Sequence, residues 1–188
     1  MQTEAGRRRF TVDEYYRMAG IGILKDGERT ELIDGEVIEM SPMGFRHSAA
    51  VKRADALFNR VFHGKAIVSV QLPVRLDAFN EPQPDVGVLR PRRDFYESGH
   101  PGPEDTLLVL EISDTSFRYD REIKLGIYAA ARIPELWILD LAGETLLVFR
   151  EPSRRIYKTN FSFRRGDSVS LAAFPEIVIA ISDLLASE

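Results

Sequence analysis

The feature that most constrains this fold is a nearly unbroken apolar run at residues 106–112, Thr-Leu-Leu-Val-Leu-Glu-Ile. Such a run is typical of a central β-strand that is covered on both faces. Its one acid, Glu111, is flanked by Leu110 and Ile112. A carboxylate in that position is costly to bury unless a cation or hydrogen-bond donors receive it. The sequence therefore predicts a buried acid that has a specific partner.

Other apolar segments predict the rest of a sheet. The predicted strands are 66–71, 74–76, 85–90, 135–141, 145–150 and 155–159, with an irregular loop at 91–105. A helix predicted at 120–133, with Ile123, Ile127 and Ala130 or Ala131 facing inward, joins the strands 106–112 and 135–141. A helix between two buried strands predicts a crossover between parallel neighbours.

The N-terminal third carries local signals for two helices and a hairpin. Thr11 and Glu14 have capping-box spacing, which predicts a helix to about Ala19. Asp34-Gly35 is a two-residue turn signal inside a hairpin at 29–40, and a helix is predicted at 45–62. Together with an apolar C-terminal segment at 177–185, these elements predict an α/β (α+β) fold. Its central mixed β-sheet has four or five strands and is flanked by helices, with an N-terminal helix and β-hairpin.

Composition narrows the class of protein. A chain of 188 residues with 44% apolar and 29% charged residues predicts one globular domain at 10–188 after a frayed segment at 1–9. The absence of cysteine excludes disulfides and thiolate metal sites and suits a cytoplasmic protein. No stretch reaches the ~18 apolar residues of a membrane span. A formal charge of −4 argues against tight binding to duplex DNA by charge alone.

Two strand acids and a lysine form the candidate site. Asp85 at the start of one strand and Glu111 near the end of another could bind one magnesium ion, a cation that prefers oxygen ligands, with the carbonyl of Ile112 as a third oxygen. Lys124 on the following helix could orient or help deprotonate an attacking water. The structural alternative is that Asp85 caps a turn and Glu111 forms a salt bridge with Lys124 or an arginine.

Several other residues are candidates for substrate contact. His47 opens a predicted helix and could touch a phosphate, and Tyr128 lies one turn beyond Lys124 on the same helical face. Gln71, on a strand ahead of Pro73, could enter the site, although an ordinary polar strand end is the favoured interpretation. Two basic groups could contact phosphates; the first contains Arg118, Arg121 and Lys124, and the second contains Arg90, Arg92 and Arg93.

The chain also resembles a known family at these residues. The resemblance rests on Glu31-Leu-Ile-Asp-Gly-Glu36, Met40-Ser-Pro-Met-Gly with His47, Pro84-Asp85-Val, Leu108-Val-Leu-Glu111-Ile-Ser, Lys124 with Tyr128, and Glu135-Leu-Trp-Ile-Leu-Asp140. In order and spacing these motifs are similar to the Uma2 (DUF820) family of the PD-(D/E)XK nuclease superfamily. The similarity extends from about Phe10 to Leu185.

The resemblance implies a restriction-endonuclease-like core with a magnesium site at which Mn²⁺ can substitute. Asp85 and Glu111 match the two motif acids, and Glu31 matches an additional N-terminal acid that completes the metal site. The superfamily lysine lies two residues after the second acid, where this chain has Ser113. Lys124 therefore resembles a displaced form of that lysine.

The leading hypothesis is a magnesium-dependent endonuclease that acts on nucleic acid, with DNA as the expected substrate. A homodimer is expected because a compact nuclease needs a second copy to cut both strands at once. One alternative is a catalytically inactive nuclease fold that binds nucleic acid or a protein. Another is a glycosidase with Asp85 and Glu111 as paired carboxylates, which leaves Lys124 unexplained.

Overall fold

The N-terminal elements follow the local signals in the sequence. The computed structural model describes residues 6–25, 27–114 and 123–186. Helix α1 (Val12–Gly20) begins with the predicted capping box, in which the Glu14 amide donates to Thr11 Oγ1 at 3.2 Å and the Thr11 amide donates to Glu14 Oε2 at 3.0 Å. Strands β1 (Thr30–Ile33) and β2 (Glu36–Glu39) form the predicted antiparallel hairpin around Asp34-Gly35.

Helix α2 (Phe45–Val61) covers one face of the main sheet. Its apolar side is buried, including Ala54, Leu57 and Phe58, as the helical periodicity predicts. Gly64, at φ +72°, follows the helix in the left-handed conformation that glycine adopts without strain. Both ends of α2 therefore agree with the sequence prediction to within a residue.

The main sheet is mixed, as predicted, and has six strands in the described residues where four or five were expected. They are β3 (Ile67–Val70), β4 (Val86–Leu89), β5 (Thr106–Ser113), β6 (Glu135–Asp140), β7 (Thr145–Ser153) and β8 (Ile156–Arg164). Their spatial order is the same as their order in the chain. Only β5 and β6 pair in parallel; the other neighbours are antiparallel. The predicted parallel pair is therefore confirmed.

The described part of the helix between β5 and β6 ends earlier than predicted. Helix α3 (Leu125–Ala130) follows a wider π-type turn at residues 123–124, and the predicted start at 120–122 lies outside the described residues. Arg132, at φ +64°, ends the helix before the predicted limit at 133. Ile127 is buried as predicted, whereas Ile123 is 39% exposed, so its inward placement was wrong. The change of helical period at 123–124 moves Ile123 off the buried face.

Residues 74–76 do not form the predicted strand. Pro73 has no amide hydrogen, and the amides of Val74 and Leu76 donate to the carbonyls of Pro82 and Asn80 in the same loop. The loop instead contributes Glu81, whose amide donates to the Leu32 carbonyl at 2.8 Å in an isolated bridge. This bridge fixes the hairpin beside the main sheet.

The C-terminal segment closes the face of the sheet that α2 covers. Strands β9 (Ser168–Ser170) and β10 (Val178–Ala180) pair antiparallel, and a 3₁₀ helix (Ile181–Asp183) follows. Their buried apolar residues pack with those of α2 and β5, whereas α3 and residues 74–76 cover the opposite face. None of the helices in the described parts of the chain is long and apolar enough to cross a membrane.

Candidate active site

The pairing of β4 with β5 places the two strand acids at the same level. Val86 lies opposite Leu110 in this antiparallel pair, so Asp85, the residue before β4, is level with Glu111. The Ile112 amide donates a hydrogen bond to Asp85 Oδ2 at 2.9 Å. Asp85 is therefore held by the backbone of the strand that carries Glu111.

Lys124 joins Glu111 to the acid of the hairpin. Its Nζ lies 3.3 Å from Glu111 Oε1 and 3.1 Å from Glu31 Oε2. The Tyr128 hydroxyl donates to the same Glu111 oxygen at 2.7 Å. All four residues are at most 5% exposed. The structure thus gives the acid of β5 the specific cationic partner that its apolar surroundings require.

Glu31 is fixed by the segment that leads to Asp85. The Gln83 amide donates to Glu31 Oε2 at 3.2 Å, and the Gln83 side chain donates to the Thr30 carbonyl at 2.9 Å. The Tyr15 hydroxyl also donates to the Thr30 carbonyl, at 3.0 Å. Burial raises the pKa of Tyr15, so this hydroxyl remains a neutral donor. These bonds hold the hairpin acid in position against the sheet.

His47 and Gln71 both contact the other oxygen of Asp85. The distances to Asp85 Oδ1 are 2.9 Å from His47 Nε2 and 3.2 Å from Gln71 Nε2. Gln71 has a left-handed backbone, with φ +52°, and its amide donates to the Asp85 carbonyl. The favoured interpretation of Gln71 as an ordinary strand end is therefore wrong, and the alternative, that its side chain enters the site, is confirmed. A polar residue before Leu72-Pro73 was the available signal, but it does not reveal a left-handed turn.

The candidate residues surround one cavity of about 590 Å³. It is lined by Glu31, His47, Asp85, Glu111 and Lys124, among others. Tyr128 lies behind Glu111 and is fully buried. Arg121, like Arg118, lies outside the described residues. The second basic group is not among the lining residues, and its member Arg92 is bound to Asp94.

The cavity has a strongly negative wall. Its described lining includes five acidic residues and two basic residues: Glu31, Glu39, Asp85, Glu111 and Asp114, with Arg29 and Lys124. Such a concentration of acids in a concave surface attracts cations. A site that binds a phosphate by protein charge alone has an excess of basic residues, whereas this cavity has an excess of acidic ones.

The donor set fits a hard divalent cation by its chemistry. Asp85, Glu111 and Ile112 all line the cavity. The two carboxylates and the Ile112 carbonyl are oxygen ligands, the kind that Mg²⁺ prefers. In the described residues, however, no three side chains of His, Cys, Asp or Glu are arranged to hold a metal ion. In this arrangement Lys124 lies against Glu31 and Glu111. The family resemblance implies instead that Glu31, Asp85 and Glu111 share one metal.

Comparison with known proteins identifies the relatives of this chain. The Uma2 family model, described as "Putative restriction endonuclease", matches residues 12–182. A solved structure from Anabaena variabilis ATCC 29413, described as "a putative nuclease belonging to DUF820", superposes with a TM-score of 0.70 at 19% identity. The superposition covers 93% of this chain and 97% of the other, so the two share a fold. No curated protein matches the chain.

Proposed function

This chain belongs to the Uma2 family, and from that premise we propose that it is a divalent-metal-dependent endonuclease that hydrolyses DNA. The observation that carries the proposal is the convergence of Asp85, Glu111 and Lys124 on one acidic cavity at the ends of adjacent strands. The solved structure with the same fold is also described as a "putative nuclease". Residues 10–188 are proposed to form the single nuclease domain.

Each group in the cavity has a proposed role in phosphodiester hydrolysis. Asp85 and Glu111 would hold the metal, with the Ile112 carbonyl as a third ligand and Glu31 as an additional acid. A divalent cation bound there would supply Lewis acidity and lower the pKa of bound water. Lys124 orients the attacking water and balances the charge of the acids, replacing the lysine that is missing at Ser113.

The remaining residues position these groups or contact the substrate. Tyr128 donates to Glu111 Oε1 and so fixes the orientation of that carboxylate. His47 lies at the edge of the cavity against Asp85 Oδ1 and is proposed to contact the substrate phosphate. Arg121 is proposed as a further phosphate contact on the sequence argument alone. A homodimer is proposed because cleavage of both strands requires two sites.

Plasmid nicking tests the proposal. Wild type is expected to nick supercoiled DNA in magnesium and not in EDTA, and Asp85→Asn is expected to lower nicking by about 100-fold or more, since a ligand of the metal contributes several kcal/mol to charge stabilisation. Glu176→Gln is the matched control, because this exposed acid pairs with Lys65 on the surface. Equal nicking by wild type and Asp85→Asn would exclude this site.

A catalytically inactive fold that binds nucleic acid or a protein is the second candidate. It is favoured by the position of Lys124, whose ammonium already forms ion pairs with both Glu31 and Glu111. Thermal unfolding in magnesium separates the two candidates. A metal that binds the native state adds about 2.7 kcal/mol at 100 times its Kd, which raises Tm by about 5–10 °C in a chain of this length. An unchanged Tm at saturating magnesium identifies an inactive remnant.

A further inference from the structure

Three large apolar side chains are exposed next to the acidic cavity. Phe45, the first residue of α2, is 98% exposed, Leu72 is 57% exposed and Met43 is 41% exposed. We refer to Met43, Phe45 and Leu72 as the apolar rim. A phenyl ring that is almost entirely in water gains nothing for folding, because it buries almost no surface. The folded state therefore does not account for Phe45.

The apolar rim is tied to the candidate catalytic acid. Met43 and Gly44, directly before Phe45, line the cavity. The Gln71 side-chain amide is within hydrogen-bond distance of both Met43 Sδ, at 2.8 Å, and Asp85 Oδ1, at 3.2 Å. The left-handed backbone of Gln71 is also held by a hydrogen bond from its backbone amide to the Asp85 carbonyl. The loop with Met43, which leads into Phe45 at the start of α2, and the turn that precedes Leu72 are thus fixed relative to Asp85.

We propose that the apolar rim binds an unstacked nucleobase of the substrate, with the Phe45 ring stacked on the base face. This inference rests on the proposed function and specifies the substrate as single-stranded or locally unpaired DNA. In an intact duplex both faces of each base are covered by neighbouring bases, so only an unpaired base offers a face to Phe45. The phosphate next to that base then lies at the cavity.

Charge determines which part of a DNA strand can lie on the apolar rim. The phosphates of the strand are negative and are repelled by a wall with five carboxylates and two basic residues unless a cation lies between them. A nucleobase has no formal charge, and it binds aromatic side chains through its π-face irrespective of sequence. DNA therefore places its uncharged part on the rim and one phosphate at the proposed metal site.

Equilibrium titration of oligonucleotides tests the proposal. The probe is a short DNA strand with 2-aminopurine at one position, whose fluorescence reports stacking, offered single-stranded, fully paired or with that base in a bulge. Titrations are made in EDTA, in which the proposed cleavage does not occur. Phe45→Ala is expected to bind the single strand about 5- to 140-fold more weakly, the equivalent of about 1–3 kcal/mol of stacking. Phe45→Trp is expected to retain wild-type affinity.

The matched control is Phe95→Ala, since Phe95 is 74% exposed and does not line the cavity. Its affinity should equal that of wild type. Equal binding by wild type and Phe45→Ala overturns the inference, as does equal affinity of wild type for the paired and single-stranded probes. A loss of self-association in Phe45→Ala without a loss of DNA affinity also overturns it, because the rim would then bind a second copy of the chain.

Nicking of plasmid by the same proteins separates this inference from the proposed function. If nicking by wild type is lost in Asp85→Asn but Phe45→Ala binds the probe normally, the role of the rim is overturned and the nuclease is not. If wild type does not nick but Phe45→Ala binds the probe more weakly than wild type, the rim is supported and the nuclease is overturned.

Discussion

Replacing Lys124 by methionine tests the central electrostatic arrangement of the site. Methionine has nearly the length of lysine and retains the apolar part of the side chain, so the change removes mainly the ammonium. Glu31 and Glu111, at 2% and 3% exposure, are then left facing each other across the vacated position. Their oxygens Oε2 and Oε1 lie at most 6.4 Å apart, the sum of the two contact distances to Nζ.

The magnitude follows from that distance and from the burial. Two like charges 6.4 Å apart repel by about 2.6 kcal/mol at an effective dielectric constant of about 20. Removing one partner of a buried ion pair typically costs about 3–5 kcal/mol, because the remaining charge stays desolvated. In a chain of this length we expect Tm to fall by about 6–20 °C. The double variant Glu31→Gln/Lys124→Met is expected to recover about 2–3 kcal/mol of the loss.

Urea unfolding in EDTA measures these differences without any contribution from metal. The control is Lys65→Met, which removes an ammonium at a comparable distance, 2.7 Å from Glu176 Oε1, in a pair whose side chains are 45% and 58% exposed. Such a surface pair contributes about 0–1 kcal/mol. The reasoning is refuted if Lys124→Met unfolds within 1 kcal/mol of Lys65→Met and the added Glu31→Gln change recovers nothing.

Two further predictions concern groups outside the cavity. Glu135 is fully buried and accepts hydrogen bonds from Arg150 and the Ala172 amide. Glu135→Gln should therefore lower the free energy of unfolding by about 1–3 kcal/mol while plasmid nicking is unchanged. Unchanged stability with a loss of nicking would contradict a structural role. The pKa of Glu14 is lowered from 4.5, chiefly by the hydrogen bond from the Thr11 amide. Its ionised form therefore stabilises α1 above pH 4.5, and the stabilisation is lost as pH falls through the lowered value. Paired thermal melts should show Glu14→Gln less stable than wild type at about pH 7, with a difference that narrows toward about pH 3; a difference that widens on acidification would contradict the assignment.

The elements that the sequence predicts well are those with short-range causes. The capping box of Thr11 and Glu14 and the turn at Asp34-Gly35 depend on residues a few positions apart, and both are confirmed. Residues 74–76 are different, because a short apolar segment has the same pattern in a strand and in a buried loop. The strand and the loop are distinguished only by the hydrogen bonds of the backbone amides, which here go to carbonyls of the same loop.

The candidate site was predictable only where the composition of one short segment indicates a contact. An acid inside an apolar strand indicates a partner, and the partner of Glu111 is Lys124 as one alternative proposed. The contact of Glu31 with the same ammonium depends on how the hairpin docks, and no local pattern encodes it. The role of Gln71 depends on a left-handed backbone that side-chain preferences do not predict.

The long-range pairing of Glu31 determines when the site can form as the chain folds. Glu31 contacts Gln83, 52 positions away, and Glu111 contacts Lys124, 13 positions away. The hairpin bonds to the loop before Asp85 through the Leu32–Glu81 bridge, and α3 must dock before Lys124 reaches both acids. Closing contacts between distant segments is slow, because chain entropy is lost before they stabilise the fold. A nascent or proteolytically opened chain therefore lacks the assembled cluster, so any hydrolysis of DNA would begin only after the last segment has docked.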